Sequence, residues 1–219
     1  MTEDLDLRAA AGFVEAGIRA EFPALRIDWV TVRARRGASP PGVRRRLKEL
    51  SSRYRGATVV GLRAQPIPHA YRAFFRQVGL DPDVTRIPIE EVALARLMHG
   101  GFRSTNIVDD ALLISLVETG VPVWALNADR VHEAGLGIRT SVAGDCLGST
   151  GTGDHLAPGR LVVADARCVH GLLFGQLAPG HGVRPETERI ALFSVGVDGV
   201  PAIHIEEALW ISAELLRGS

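Results

Sequence analysis

The sequence predicts an α+β fold, held in one large domain or in two small lobes that share a core. Three observations carry this. Helical periodicity dominates the first half of the chain. Short apolar runs separated by glycine dominate the second half, and the two kinds of segment do not alternate as a doubly wound sheet requires. The 219 residues are 46% apolar and 23% charged, enough to bury a sizeable core.

Residues 7–21 place Leu7, Ala10, Ala11, Val14 and Ile18 at helical spacing and predict a first amphipathic helix, ended by Pro23. Leu25, Ile27, Trp29 and Val30 to Val32 then read as a strand, with Arg26 and Asp28 on its other face. Residues 37–42, Gly-Ala-Ser-Pro-Pro-Gly, are the clearest break in the chain. A basic helix is expected over 43–54, and 57–62 is a short apolar piece, strand or buried helix. Pro66 and Pro68 precede a helix over 69–78 that Gly79 closes. The next helix, 89–99, has Pro88 before it, Glu90 and Glu91 at its positive end, and Gly100 and Gly101 as its stop. A further helix over 108–118 starts near Asp109 and Asp110 and ends at Gly120. Strands are expected over 121–126, 137–142, 160–164, 169–174 and 189–197, with a closing helix over 206–216.

Composition excludes several classes. Apolar runs such as 111–114 are far too short to span a bilayer, and the acidic start has no apolar signal region. The chain therefore reads as a soluble cytoplasmic protein with no membrane partner. Cys146 and Cys168 form no CxxC motif and no Cys/His cluster in sequence, so neither a disulfide scaffold nor a metal site is expected. The zero net charge hides an asymmetry. From Arg33 to Arg63 there are ten bases against one acid, a local +9 that leaves −9 for the rest. Arg44, Arg45 and Arg46 on the basic helix are candidate phosphate contacts; the plainer reading is a solvated helix whose arginines pair with the acidic body.

No GxSxG, HExxH, Walker A or dinucleotide-binding pattern is present, and the glycine-rich 148–153 reads as a flexible loop. The histidines show no paired spacing. His170 stands apart because it lies in an expected strand between Asp165 and Gly171, where a polar ring needs a partner or a ligand. Asn106 and Asp109 are candidate helix caps, and the same free N–H groups could bind carboxylate or phosphate.

Several segments together carry a family resemblance. They are residues 69–82 (HAYRAFFRQVGLDP), Arg86 with Glu90, residues 104–109 (STNIVD), residues 118–122 (ETGVP), residues 161–165 (LVVAD), residues 171–175 (GLLFG), and Glu186-Thr187 before an apolar strand. In this order they resemble free-standing B3/B4-domain proteins, which are similar to the tRNA-editing domain of the bacterial phenylalanyl-tRNA synthetase beta chain. The resemblance spans about 65–215. It implies a B3/B4-like domain over 65–219, with 1–64 a helical, basic segment packed on it. It also implies a three-layer fold containing a β-sandwich of unusual topology flanked by helices, and hydrolysis by positioned water without a cofactor.

The chain departs from the family pattern at telling places. Trp124 replaces a histidine, Asn127 an aspartate, Leu112 an asparagine, and Phe193 stands where the family's glutamate reads the misattached side chain. A site that discriminates tyrosine through a buried polar group loses that discrimination without it. The leading expectation is thus a trans-editing factor that binds tRNA and deacylates a mischarged, less polar aminoacyl-tRNA. His170 and Asn106 are its expected catalytic residues, with Asp109, Trp124, Asn127, Gly171 and Phe193 around the substrate; His170 would be the base and the N–H groups around Gly171 an oxyanion site. Trp124 and Phe193 are expected to line one apolar pocket. Two alternatives stand beside it: a non-catalytic module binding tRNA or a free amino-acid-like ligand, and a small-molecule enzyme that reuses the amino-acid pocket.

Overall fold

In the computed structural model, which describes residues 8–54, 56–148 and 154–218, the strand with the longest buried run lies in the interior of its sheet. The element order is β1 (Ala10–Ala11), β2 (Phe13–Val14), α1 (Ala16–Glu21), β3 (Arg26–Arg33), α2 (Pro41–Arg53), α3 (Gly56–Gly61), α4 (Pro66–Gln77), α5 (Pro88–His99), α6 (Ile107–Thr119), β4 (Val123–Asn127), β5 (Gly137–Thr140), β6 (Leu161–Ala164), β7 (Val169–Leu172), β8 (Arg189–Gly196) and α7 (Ala202–Arg217). Seven of the eight residues of β8 are buried, as expected of a strand covered on both faces. It pairs antiparallel with β3 on one side and β4 on the other, in the sheet order β1-β3-β8-β4. The second sheet runs β2-β5-β6-β7, with only the β2–β5 pair parallel. The fold is α+β.

Alternation along β8 sets the layers. Ser194 reaches the Pro122 carbonyl at 2.9 Å, and on the same face Gly196 leaves room for Ile205 of α7, where any Cβ would collide. That face carries α7, which packs against α6, and α6 in turn meets α2. Phe193 and Val195 point the other way. Ile138 and Val163 of the second sheet share one hydrophobic core with Ile27, Leu192 and Val195 of the first. The helix layer and the two sheets therefore bury their apolar faces against one another. Tyr71 of α4 anchors that helix to the first sheet, its buried hydroxyl donating to the Val195 carbonyl at 2.9 Å. Among the described residues no helix is long and apolar enough to cross a membrane.

The first expected helix is a correction. Only Ala16–Glu21 is helical; residues 10–14 form two short strands, one in each sheet. Gly12 makes the crossing between them. Its N–H bonds the Ile27 carbonyl at 2.8 Å, and a side chain there would strike the Leu136 carbonyl. The small and apolar residues that mimic helical spacing are the ones this tight crossing needs. The N-terminal segment is consequently woven into both sheets, since β1 and β3 belong to one and β2 to the other. The open choice at 57–62 resolves to helix, α3.

Candidate functional site

The densest chemistry lies where β6 turns into β7. Asp165 follows the last residue of β6, and its carboxylate organises the turn. Oδ1 accepts from the N–H groups of Arg167 (2.7 Å) and Cys168 (3.0 Å). Oδ2 accepts from the His132 N–H (2.7 Å) and lies 2.8 Å from His170 Nε2. Burial opposes ionisation here, but these hydrogen bonds outweigh it and hold the carboxyl well below the ordinary range. An ionised carboxylate only accepts, so His170 carries its proton on Nε2.

His170 Nδ1 and His181 Nδ1 lie 2.8 Å apart; when the His170 ring is neutral its Nδ1 is the acceptor of this bond and His181 the donor. The result is a directed chain, Asp165 to His170 to His181, inside the protein. His170 is fully buried and His181 nearly so. Backbone bonds pin the loop that brings His181 in: Ala178 N–H to the His170 carbonyl (2.8 Å), His181 N–H to the Ala178 carbonyl (3.0 Å), and Asn127 N–H to the His181 carbonyl (2.8 Å). Burial and the neighbouring His170 push the His181 imidazole below its ordinary value, which favours the neutral ring. Among the described residues no group is hydrogen-bonded to His181 Nε2.

Cys168 completes the cluster. Its sulfur and one ring nitrogen each of His170 and His181 lie within 4.8 Å of one another. Burial, with the charge of Asp165 beside it, pushes the Cys168 thiol up to about 11, which keeps it protonated and a poor nucleophile at neutral pH. The fold assembles in space a Cys/His cluster that the sequence does not show as a motif. Residues 168, 170 and 181 follow no familiar ligand spacing, because a loop rather than a helix or knuckle closes the group.

The other expected site residues fall into separate places. Trp124 of β4 and Phe193 of β8 are directly paired across the sheet and stacked, with centroids 5.4 Å apart and planes 14° from parallel. They touch each other rather than face each other across a space. Phe174 packs against Trp124 at 5.6 Å and against Tyr71, Phe74 and Phe75 of α4. Phe174 is also the one described non-glycine residue with a left-handed backbone, φ 56°. Such a conformation costs about 1 kcal/mol or more, and here four aromatic rings hold it. Sequence reasoning placed Phe174 in an expected strand and in the 171–175 segment but gave it no role at the site.

Asn106 is the N-cap of α6, accepting from the Val108 and Asp109 N–H groups at 3.1 Å. The expected role of Asp109 as a cap is corrected. It is exposed, and it instead accepts from the Asn106 side-chain amide at 2.6 Å. The buried carboxylate is Asp110, which gathers Ser39, Ser104 and the Thr105 N–H. No contact joins Asn106 or Asp109 to His170 among the described residues. Asn127 caps the 3-10 turn Ala128–Arg130 through its side chain. Gly171 is a mid-strand residue paired with Val163 on one side and Leu177 on the other, so its backbone faces neighbouring chain and makes no open oxyanion site.

The arginine triplet is split. Arg46 forms a double hydrogen bond to Glu118 (2.8 and 2.5 Å), whereas Arg44 and Arg45 are exposed, Arg45 near Glu49 at 4.0 Å. Arg35, Arg36 and Arg63 also pair with acids of the body. Of the glycine-rich 148–153, residues 149–153 lie outside the described residues. A wide cleft of about 920 Å³ sits elsewhere, between β1, β3 and α7, lined by Arg26, Asp28, Ile203 and Trp210 among others.

No family model matches the chain, and no curated protein matches it.

Proposed function

We propose that the chain is an aminoacyl-ester hydrolase of the B3/B4 type that acts on mischarged tRNA carrying an apolar amino acid. The single observation that carries the reading is the directed chain from Asp165 through His170 to His181. It moves the base from His170, whose two ring nitrogens are both engaged, to His181. In the reaction His181 Nε2 takes a proton from water as the water oxygen bonds to the aminoacyl carbonyl carbon. The imidazolium so formed is stabilised through His170 by the Asp165 charge. Collapse of the tetrahedral intermediate breaks the ester C–O bond, and His181 returns the proton to the leaving ribose oxygen. The preference for an apolar substrate rests on the aromatic character of Trp124, Phe174 and Phe193, a cluster with no carboxylate and with the Trp124 indole N–H as its one polar side-chain group.

A panel of aminoacyl-tRNAs tests this directly. Deacylation above the spontaneous rate is expected for a tRNA charged with an apolar amino acid. His181→Ala should lower the rate by about 10²–10⁴-fold. No acceleration with any member of the panel would sink the reading. A second reading, a module that binds tRNA or a free amino acid without chemistry, is favoured by the full burial of His170 and by Phe174 occupying the aromatic cluster. Retention of tRNA without any deacylation would establish that alternative.

A further inference from the structure

We propose that Cys168, His170 and His181 form a binding site for one thiophilic divalent transition-metal ion of the zinc class. Their ligand atoms already lie within 4.8 Å of one another. A tetrahedral zinc ion with bonds of about 2.0–2.1 Å to nitrogen and 2.3 Å to sulfur needs donor separations of about 3.3–3.6 Å. The two Nδ1 atoms are 2.8 Å apart, so the pair must open by about half an ångström while the thiol closes in. One thiolate with two imidazoles suits zinc or cobalt and offers nothing to magnesium or calcium, which require oxygen donors.

The surroundings are those of a metal site. Asp165 is not a ligand, because both its oxygens are already engaged by N–H groups. It holds His170 through Nε2, leaving Nδ1 as the donor atom, and it fixes the turn that carries Cys168. A carboxylate behind a ligating histidine is the usual second layer of zinc centres. Three protein ligands leave a fourth position for water. Half-buried Cys168 gives the ion its way in, between two buried rings. The other cysteine makes an instructive contrast: Cys146 has His155 at 3.5 Å but no third ligand among the described residues.

Metal binding displaces the thiol proton of Cys168 and replaces the hydrogen bond between the two histidines. The ion and the proton relay both need the His170 Nδ1 lone pair, so they exclude one another. This consequence rests on the hydrolytic reading above, whereas the metal site itself does not.

Cobalt titration of the purified full-length chain, without substrate, is the test. One equivalent of Co²⁺ should give a thiolate-to-cobalt charge-transfer band and the intense visible bands of a tetrahedral ion, both abolished by Zn²⁺. Cys168→Ser should remove the charge-transfer band, and Cys146→Ser should leave it intact. Asp165→Asn should weaken affinity by roughly 10–100-fold. The wild-type spectrum alone decides if a variant fails to fold: absence of the band at saturating Co²⁺ overturns the proposal. A band that survives Cys168→Ser and disappears in Cys146→Ser overturns it equally. Deacylation that Zn²⁺ inhibits and a chelator restores is expected; failure of deacylation with a positive cobalt spectrum would refute the hydrolase and leave the metal site standing.

Discussion

At the scale of single residues, two neighbours in one turn do different work. Asn106 satisfies two free N–H groups of α6 and is itself held by Asp109. Asn106→Ala should therefore destabilise the fold by about 0.5–2 kcal/mol, the ordinary worth of an N-cap. Asp109→Ala should cost less, because its carboxylate is exposed and acts only through Asn106. Urea denaturation of the two variants checks the order, and a larger loss for Asp109→Ala would refute the assignment. His170 was legible in sequence by the same logic of polar satisfaction: a ring inside an apolar strand must have partners. Its partner His181 was not legible. It lies eleven residues on in a loop, and only the backbone bonds to Ala178 and Asn127 bring the two rings together. Trp124 and Phe193 were expected to line one apolar pocket, and the direct stacking of the two rings could not be read from the sequence. Direct cross-strand pairing closes the space that a pocket between them would need.

At the scale of elements, helices were more legible than strands because their ends carry chemistry. Gly79, Gly100 and Gly120 all adopt left-handed backbone where the sequence predicts a stop. The two short strands at 10–14 carry no such signal, and pairing partners more than a dozen residues away define them. The join of α4 to α5 gives a sharp prediction. Arg72 and Glu90 are both nearly buried and lie 2.9 Å apart, with Asp83 adding a second contact at 2.7 Å. Glu90→Ala leaves the guanidinium buried beside one remaining, half-exposed carboxylate. About 3 kcal/mol of stability should be lost, read from the shift in denaturation midpoint at constant slope. The basic helix α2 yields another. Arg46 is committed to Glu118, so reversing Arg44 and Arg45 to Glu should weaken tRNA binding while sparing the fold. The slope of log affinity against log salt should become shallower by about 2. Arg46→Glu, in contrast, should lower stability by placing two acids together. An affinity unaltered by the double reversal would remove this helix from RNA recognition.

Across the whole molecule, carboxylates far apart in the chain share one electrostatic habit. Asp145 is held below its ordinary range by two hydrogen bonds from Arg139, at 2.6 and 2.9 Å, against the opposing effect of burial. Glu15 is lowered by the Thr140 N–H and hydroxyl, and Asp83 by Arg72. Each folded value lies below its unfolded one, so the unfolded chain binds more protons in acid. Their stabilisation is then fully present above about pH 4–4.5, where the unfolded groups are ionised, and is lost as pH falls through the lower folded values. Stability should be nearly flat with respect to these groups from neutral pH down to about 5 and should drop below about 4. Asp145→Asn tests a single share of that drop. It removes a charge that ties β5 to the loop before β6, at a cost of about 1 kcal/mol at neutral pH. In the variant the gap to wild type should narrow as the pH is lowered, because the wild-type carboxylate is then protonated as well. Denaturant titrations at pH 7, 5, 4 and 3 read the gap directly. A difference that stays constant over that range would mean that Asp145 stabilises the fold through shape alone, with its charge playing no part.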